Sequence, residues 1–271
     1  MRPPRGLTSG LARRTVDDMI AVVLHDMPPN EDAAARALAG VLELTPVEAR
    51  GRLAVPQGGP AIVARRAEPA AAAELVAHLK AAGFPAFTVD ADRVETDARR
   101  TSARRFTLGA TAVQVETRTG DIRALPYADV RFLARATGIA SQTTTSTVES
   151  RQFSAGRALV SGGLVLTKAK TTTTRETEET WEGWLVAYPR AGAAVVFREV
   201  ETLWDGLGAA LQPTRQANFT QFCALLRARC PAAIYDDRLM RRAGQVQLLG
   251  PGFAPESCLD LALAVLTAAP R

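Results

Sequence analysis

Lysine, cysteine and histidine are scarce in this chain. Lysine stands at positions 80, 168 and 170 only, so nearly all of the 33 basic residues are arginine. The three cysteines, Cys223, Cys230 and Cys258, form no CxxC pair. An odd count closes no disulfide set, which argues against a disulfide scaffold and fits a reducing compartment, so the expected location is the cytoplasm. Cys223 and Cys230 lie seven apart on one face of an expected helix, where small buried thiols pack as hydrophobes. The only histidines are His25 and His78, and neither has a cysteine or carboxylate at zinc spacing. No metal centre is expected. Phosphate-cradling loops are missing as well: Gly206-Leu207-Gly208 lacks the third glycine of a dinucleotide turn, and Ser161-Gly162-Gly163 is no nucleophile elbow. No cofactor and no catalytic residues are expected, and the chain reads as non-enzymatic. No apolar core follows Arg2, Arg5, Arg13 and Arg14 before Met19, so no export leader is expected. The apolar stretch at 259–269 contains Asp260 and is too short to span a bilayer, so no transmembrane segment is expected.

The chain has 271 residues, 47% hydrophobic and 23% charged, enough for one large or two smaller domains with a real core. The net charge of +5 is small, and no helix concentrates it, so nucleic acid is not the expected partner.

Residues 1–18 read as a flexible tail. The run Ile20-Ala21-Val22-Val23-Leu24 is continuous and β-branched, the signature of a buried strand. After the loop His25-Asp26-Met27-Pro28-Pro29-Asn30, Asn30 can cap a helix whose first turn carries Glu31 and Asp32. Thr45-Pro46-Val47-Glu48 is a capping box with proline at the first helical position. Residues 61–65 read as a second strand. A third helix follows Glu68-Pro69 and ends at Gly83, and 85–89 returns as a strand. The module at 19–90 is therefore βααβαβ. Residues 91–105 are charged and poor in apolar residues, which reads as a linker.

From 106 the pattern turns to strands. Segments 106–108, 112–117, 122–125 and 130–133 are β-rich, and 141–155, rich in Ser and Thr, reads as a mobile loop. Residues 158–174 and 181–188 read as long strands around a polar turn at 175–180, and 194–199 as another strand. Asn218 is positioned to cap a helix that Pro231 stops. Asp236-Asp237-Arg238 reads as a capped turn opening a short helix at Leu239-Met240, and 256–268 as a last helix. Trp181, Trp184, Trp204 and Phe197 are expected in the core, with an exposed Trp181 as the sign of a docking patch. The fold class is α+β: a small βααβαβ domain at 19–90, a mostly antiparallel β-rich domain at 106–240 with a helix, and an extension at 241–271.

The 19–90 module resembles the C-terminal domain of ribosomal protein L7/L12, most strongly at Glu74-Leu75, Leu79, Gly83 and the closing strand. It is equally similar to the ClpS adaptor of the bacterial AAA+ protease, through Val22-Val23-Leu24-His25-Asp26 and Leu44-Thr45-Pro46-Val47-Glu48-Ala49. Residues 104–230, through Leu125-Pro126-Tyr127-Ala128-Asp129-Val130 and the order of elements, resemble bacterial pleckstrin-homology-like domains. As a whole, the chain looks like an uncharacterised bacterial two-domain family. These resemblances imply an intracellular interaction or adaptor protein with a protein or peptide partner. The ClpS likeness places an N-terminal amine beside His25-Asp26, and the partner-binding candidates are His25, Asp26, Met27 and Asn30. The pleckstrin-homology likeness implies, as the alternative, contact with an anionic headgroup at a membrane surface. The third possibility is an enzyme with a composite interdomain site, which requires a deep polar pocket of converging ionisable groups.

Overall fold

The computed structural model describes residues 19–28, 32–55, 58–153 and 167–270, with the backbone course alone for 140–153 and 167–180. The expected tail at 1–18 and the expected cap Asn30 lie outside the described residues. The fold class is α+β. The chain divides into two compact units, one reaching to Thr137 and resuming at Gly183, the other running from Gly138 to Glu182.

The first unit opens with β1 (Ile20–Leu24), α1 (Asp32–Leu42), α2 (Pro46–Leu53), β2 (Ala61–Arg66), α3 (Pro69–Ala81) and β3 (Ala86–Asp90), the element order read from the sequence. The capping box is present: Thr45 N–H donates to Glu48 Oε2 at 2.8 Å, and Glu48 N–H donates to Thr45 Oγ1 at 3.3 Å. Helix α3 ends at Ala81 with Ala82 as its C-cap, and Gly83 follows at φ +85, a left-handed turn that glycine takes without strain. The sheet order is β2-β1-β3, with β1 antiparallel to both neighbours.

The apolar run of β1 has a simple cause, because both faces of its sheet are buried. Val22 and Leu24 pack with Ala35 and Leu38 of α1, Leu53 of α2 and Leu75 and Leu79 of α3. Ala21 and Val23, with Ile62 and Val89, turn into a second core. That core is filled by later elements: β8 (Val130–Phe153), β9 (Thr167–Pro189), β11 (Ile234–Leu239), α5 (Arg242–Leu249) and α6 (Leu259–Ala268). The edge strand β2 is also covered. Arg52 Nη1 donates to Val63 O at 3.4 Å, Arg65 Nη1 donates to Gly252 O at 3.4 Å, and a Cβ on Gly250 would stand 2.5 Å from Ile62 O.

Between Asp90 and β8 the chain forms β4 (Thr101–Ser102), β5 (Arg105–Leu108), β6 (Ala112–Glu116) and β7 (Ile122–Pro126), and after β9 comes β10 (Val195–Arg198). A five-stranded sheet runs β11-β8-β9-β10-β4, and β5-β6-β7 form a separate antiparallel sheet. The larger sheet is mixed, since β11 is parallel to β8 and β4 is parallel to β10. One face of this sheet joins the core beneath β1. The other, through Leu133, Leu185, Ala187, Val195 and Phe197, packs on α4 (Arg215–Arg229), where Phe219, Phe222, Cys223 and Leu226 are buried.

Several expectations for this half are corrected. Residues 141–153 are strand, part of β8, and 175–180 continue β9 without a turn; residues 154–166, where the two strands connect, lie outside the described residues. Threonine is a strand former, and a Thr-rich run without Gly or Pro offers no reason to turn. Helix α4 is capped by Thr214, whose Oγ1 accepts from Ala217 N–H at 3.2 Å. Asn218 is instead buried inside the helix and exchanges bonds with the backbone of Gln212 at 2.7 and 3.0 Å. Asp236-Asp237-Arg238 lie within strand β11, not in a helix-opening turn. Asp236 is buried and accepts from Arg238 at 2.6 to 3.1 Å, so the pair neutralises itself inside the sheet. The charged segment at 91–105 is built in: it forms two 3-10 turns at Ala91–Arg93 and Asp97–Arg99, then strand β4 on β10. Trp184, Trp204 and Phe197 are core residues as expected, but Trp181 is 46% exposed.

Candidate functional site

Strand β1 ends against the turn that leads to β3, where His25 N–H donates to Pro85 O at 3.1 Å. Two residues on, Met27 N–H donates to Gly58 O at 2.8 Å. Between these anchors Asp26 takes φ +44, in the left-handed region where non-glycine residues are uncommon and aspartate is among the tolerated ones. The side chains diverge. Met27 is buried in the core beneath α1 and α2, with its Cε against Gly59, where a Cβ would stand 2.8 Å away. His25 is mostly buried, tilted against Phe87 with ring centroids 5.7 Å apart. Asp26 alone reaches out: its side chain is 78% exposed, and its Oδ2 lies 2.9 Å from His25 Nδ1. The structure thus brings His25 and Asp26 together, assigns Met27 to packing, and leaves Asn30 outside the described residues.

A second polar cluster was not anticipated from sequence. A cavity of about 410 Å³ opens between β3, the segment after it, the inner ends of β8 and β9, and α6; it is lined by Glu95, Arg100, Arg131, Tyr188 and Asp260 among others. The Arg100 side chain is 1% exposed. Its Nη1 donates to Asp260 Oδ1 at 2.5 Å and its Nη2 to Glu95 O at 2.6 Å. Asp260 Oδ2 also accepts from Asp97 N–H at 3.0 Å, and Glu95 Oε1 from Ala194 N–H at 3.0 Å. Asp97 is in turn paired with Arg198, which lies over the Trp184 ring with its Cζ 4.3 Å from the centroid. Burial pushes the Tyr188 phenol up to about 12, so it stays protonated at neutral pH. This is a pocket of converging ionisable groups, but its charges are matched within the protein. Its evident effect is to fasten residues 95–100 to α6. The signal that could have found it is one buried arginine in a segment with few apolar residues, which composition alone does not distinguish from a solvated linker.

The thiols are buried in the core. Burial raises Cys223 to about 12 and Cys230 to about 11, far from the range of a reactive thiolate. His78 is exposed on α3. Among the described residues there is no group of three or more His, Cys, Asp or Glu that could hold a metal ion, and no helix long and apolar enough to cross a membrane. Comparison with family models, with curated proteins and with solved structures finds no match.

Proposed function

We propose that this chain is a non-enzymatic interaction or adaptor protein, and that the loop after β1 holds an amine of a protein or peptide partner through Asp26. The observation that carries this reading is the setting of that one carboxylate. It is exposed at 78%, its backbone is fixed in an uncommon conformation, and hydrogen bonds from His25 and Met27 anchor the chain on either side. Backbone held in a sparsely populated region by its surroundings recurs at ligand clamps. A carboxylate aimed at solvent accepts charge-assisted hydrogen bonds from an ammonium, and the His25 ring limits its rotation. Cys223 and Cys230, buried with their pKa values pushed up, support a role for these two thiols outside nucleophilic catalysis.

The test uses the full chain and fluorescent peptides whose N-terminus is either free or acetylated. The free amine binds more tightly, by about fivefold or more, the scale of one charge-assisted contact. Asp26→Asn removes that preference, while His78→Ala, at an exposed position of α3, leaves it intact. Equal binding of free and acetylated peptides, or an undiminished preference in the Asp26→Asn chain, overturns the reading.

A further inference from the structure

We infer that β9 of one copy pairs antiparallel with β9 of a second copy, joining two chains about a two-fold axis at Thr173. The starting point is strand length. β8 and β9 have 24 and 23 residues, whereas the strands flanking them are short. The register of β11 on β8 covers Phe132 to Ala136, and that of β10 on β9 covers Trp184 to Ala187, with one more bond from Glu199 N–H to Gly183 O at 2.9 Å. The stretches of β8 and β9 in the second unit run beyond both. A two-stranded ribbon is marginal in water, and a strand edge with free N–H and C=O groups recruits a further strand.

The direction of the free edge follows from the ladder. Gly183 accepts from Glu199, so its polar backbone groups turn toward β10, and residues two apart along a strand keep the same side. The odd-numbered residues of β9 below 183 therefore present their N–H and C=O groups on the side where β10 has ended.

The identity of the occupant comes from the order of charges. Charges on an edge ordinarily block pairing. As far as Thr180 the charges of β9 run Lys168, Lys170, then Thr171-Thr172-Thr173-Thr174, then Arg175, Glu176, Glu178 and Glu179. Lys168, Lys170, Glu176 and Glu178 are even-numbered and share one face of the strand, while Arg175 and Glu179 take the other, where a copy centred on Thr173 sets them opposite Thr171 and Thr167. Turned antiparallel and centred on Thr173, a second copy places Glu178 opposite Lys168 and Glu176 opposite Lys170, twice over by symmetry. Sliding the copies by one or two residues keeps at most one of the two matches, and one such slide sets Lys170 against Arg175. In the matched register the odd residues form the hydrogen-bonded pairs. The Lys–Glu positions then fall on the non-hydrogen-bonded pairs, where facing side chains are closest and opposite charges stabilise. The same patch serves both copies, as a two-fold interface requires.

The test is the mass of the full chain in solution, by light scattering or sedimentation equilibrium, at low and at high salt. The wild-type chain is a dimer that salt weakens. K168E/K170E makes the four positions all acidic, and E176K/E178K makes them all basic; each variant alone dimerises at least about tenfold more weakly. Mixing the two restores a heterodimer, and the variant carrying all four reversals restores the homodimer, which separates loss of pairing from loss of folding. Thr173→Cys cross-links two chains on oxidation while Thr171→Cys does not, because position 173 alone faces itself. The native cysteines are buried and do not compete. A wild-type chain that stays monomeric at low salt overturns the inference. So does a dimer indifferent to both reversals, or a pair of reversed variants that fail to associate when mixed.

Discussion

The sheet built on β1 and the ribbon of β8 and β9 are both β-structure, yet they are made in opposite ways. β1 is five residues long, and four of them, Ala21 to Leu24, are fully buried, with a core on each face. In the second unit β8 and β9 run for many residues through threonine, serine and charge. Burial specifies the first; residue shape and backbone preference specify the second. The difference teaches that strand propensity and hydrophobicity are separate signals, and that a strand can carry one without the other.

The largest test of this contrast is Val23→Asp. It places a charge with no partner inside the second core, and cooperative thermal unfolding is expected to be lost, an effect above about 4 kcal/mol. Thr145→Ala, in the second unit, is its counterpart: it removes one β-branch and changes stability by less than about 1 kcal/mol. Equal losses at both sites would break the comparison. Next in size is Arg100→Ala. Removing one partner from a buried ion pair costs about 3–5 kcal/mol, because Asp260 is left uncompensated. Denaturant unfolding measures it, and a loss below 1 kcal/mol would return residues 91–105 to the loosely held class. Smallest is Thr45→Ala, which removes a helix cap and costs about 1 kcal/mol. The same cap gives a pH signature. The hydrogen bonds from Thr45, backbone first, hold Glu48 below its ordinary 4.5. Its folded pKa is depressed, so its contribution is complete above about pH 4.5 and fades as pH falls through the lowered value. Thr45→Ala removes the hydroxyl bond and keeps the backbone one, so it should reduce the pH dependence in that window without abolishing it.

The element order at 19–90 was legible because its signals are local. Thr45-Pro46-Val47-Glu48 caps a helix through its own side chains, Gly83 ends one through its own backbone freedom, and the apolar run of β1 needs no context to read as buried. The second core under β1 was not legible, because its other side is supplied by Leu248, Leu249 and Leu259 to Leu266, more than two hundred residues away along the chain. The same holds for the buried Arg100, whose partner Asp260 is 160 residues distant. Within β8 and β9 the obstacle was chemical: serine and threonine serve turns and strands alike, and only the absence of Gly and Pro from 141–153 and 167–180 favoured strand. At the candidate site the sequence pointed to His25 and Asp26 as neighbours. It could not tell that Met27 turns inward, since a methionine after a strand is equally suited to a loop surface or a core.

The covering of β1 from both sides also has a consequence for the order of events during synthesis. The face formed by Ala21, Val23 and Val89 is covered in stages by β8, β9, β11 and α5, and its core is complete only when α6, ending at Ala268, has left the ribosome. At about 5–20 residues per second, the interval after Asp90 lasts on the order of ten to forty seconds. For that time the nascent chain carries a finished helical face and an unfinished apolar one, and a chaperone that shields short β-branched segments has its natural opportunity there.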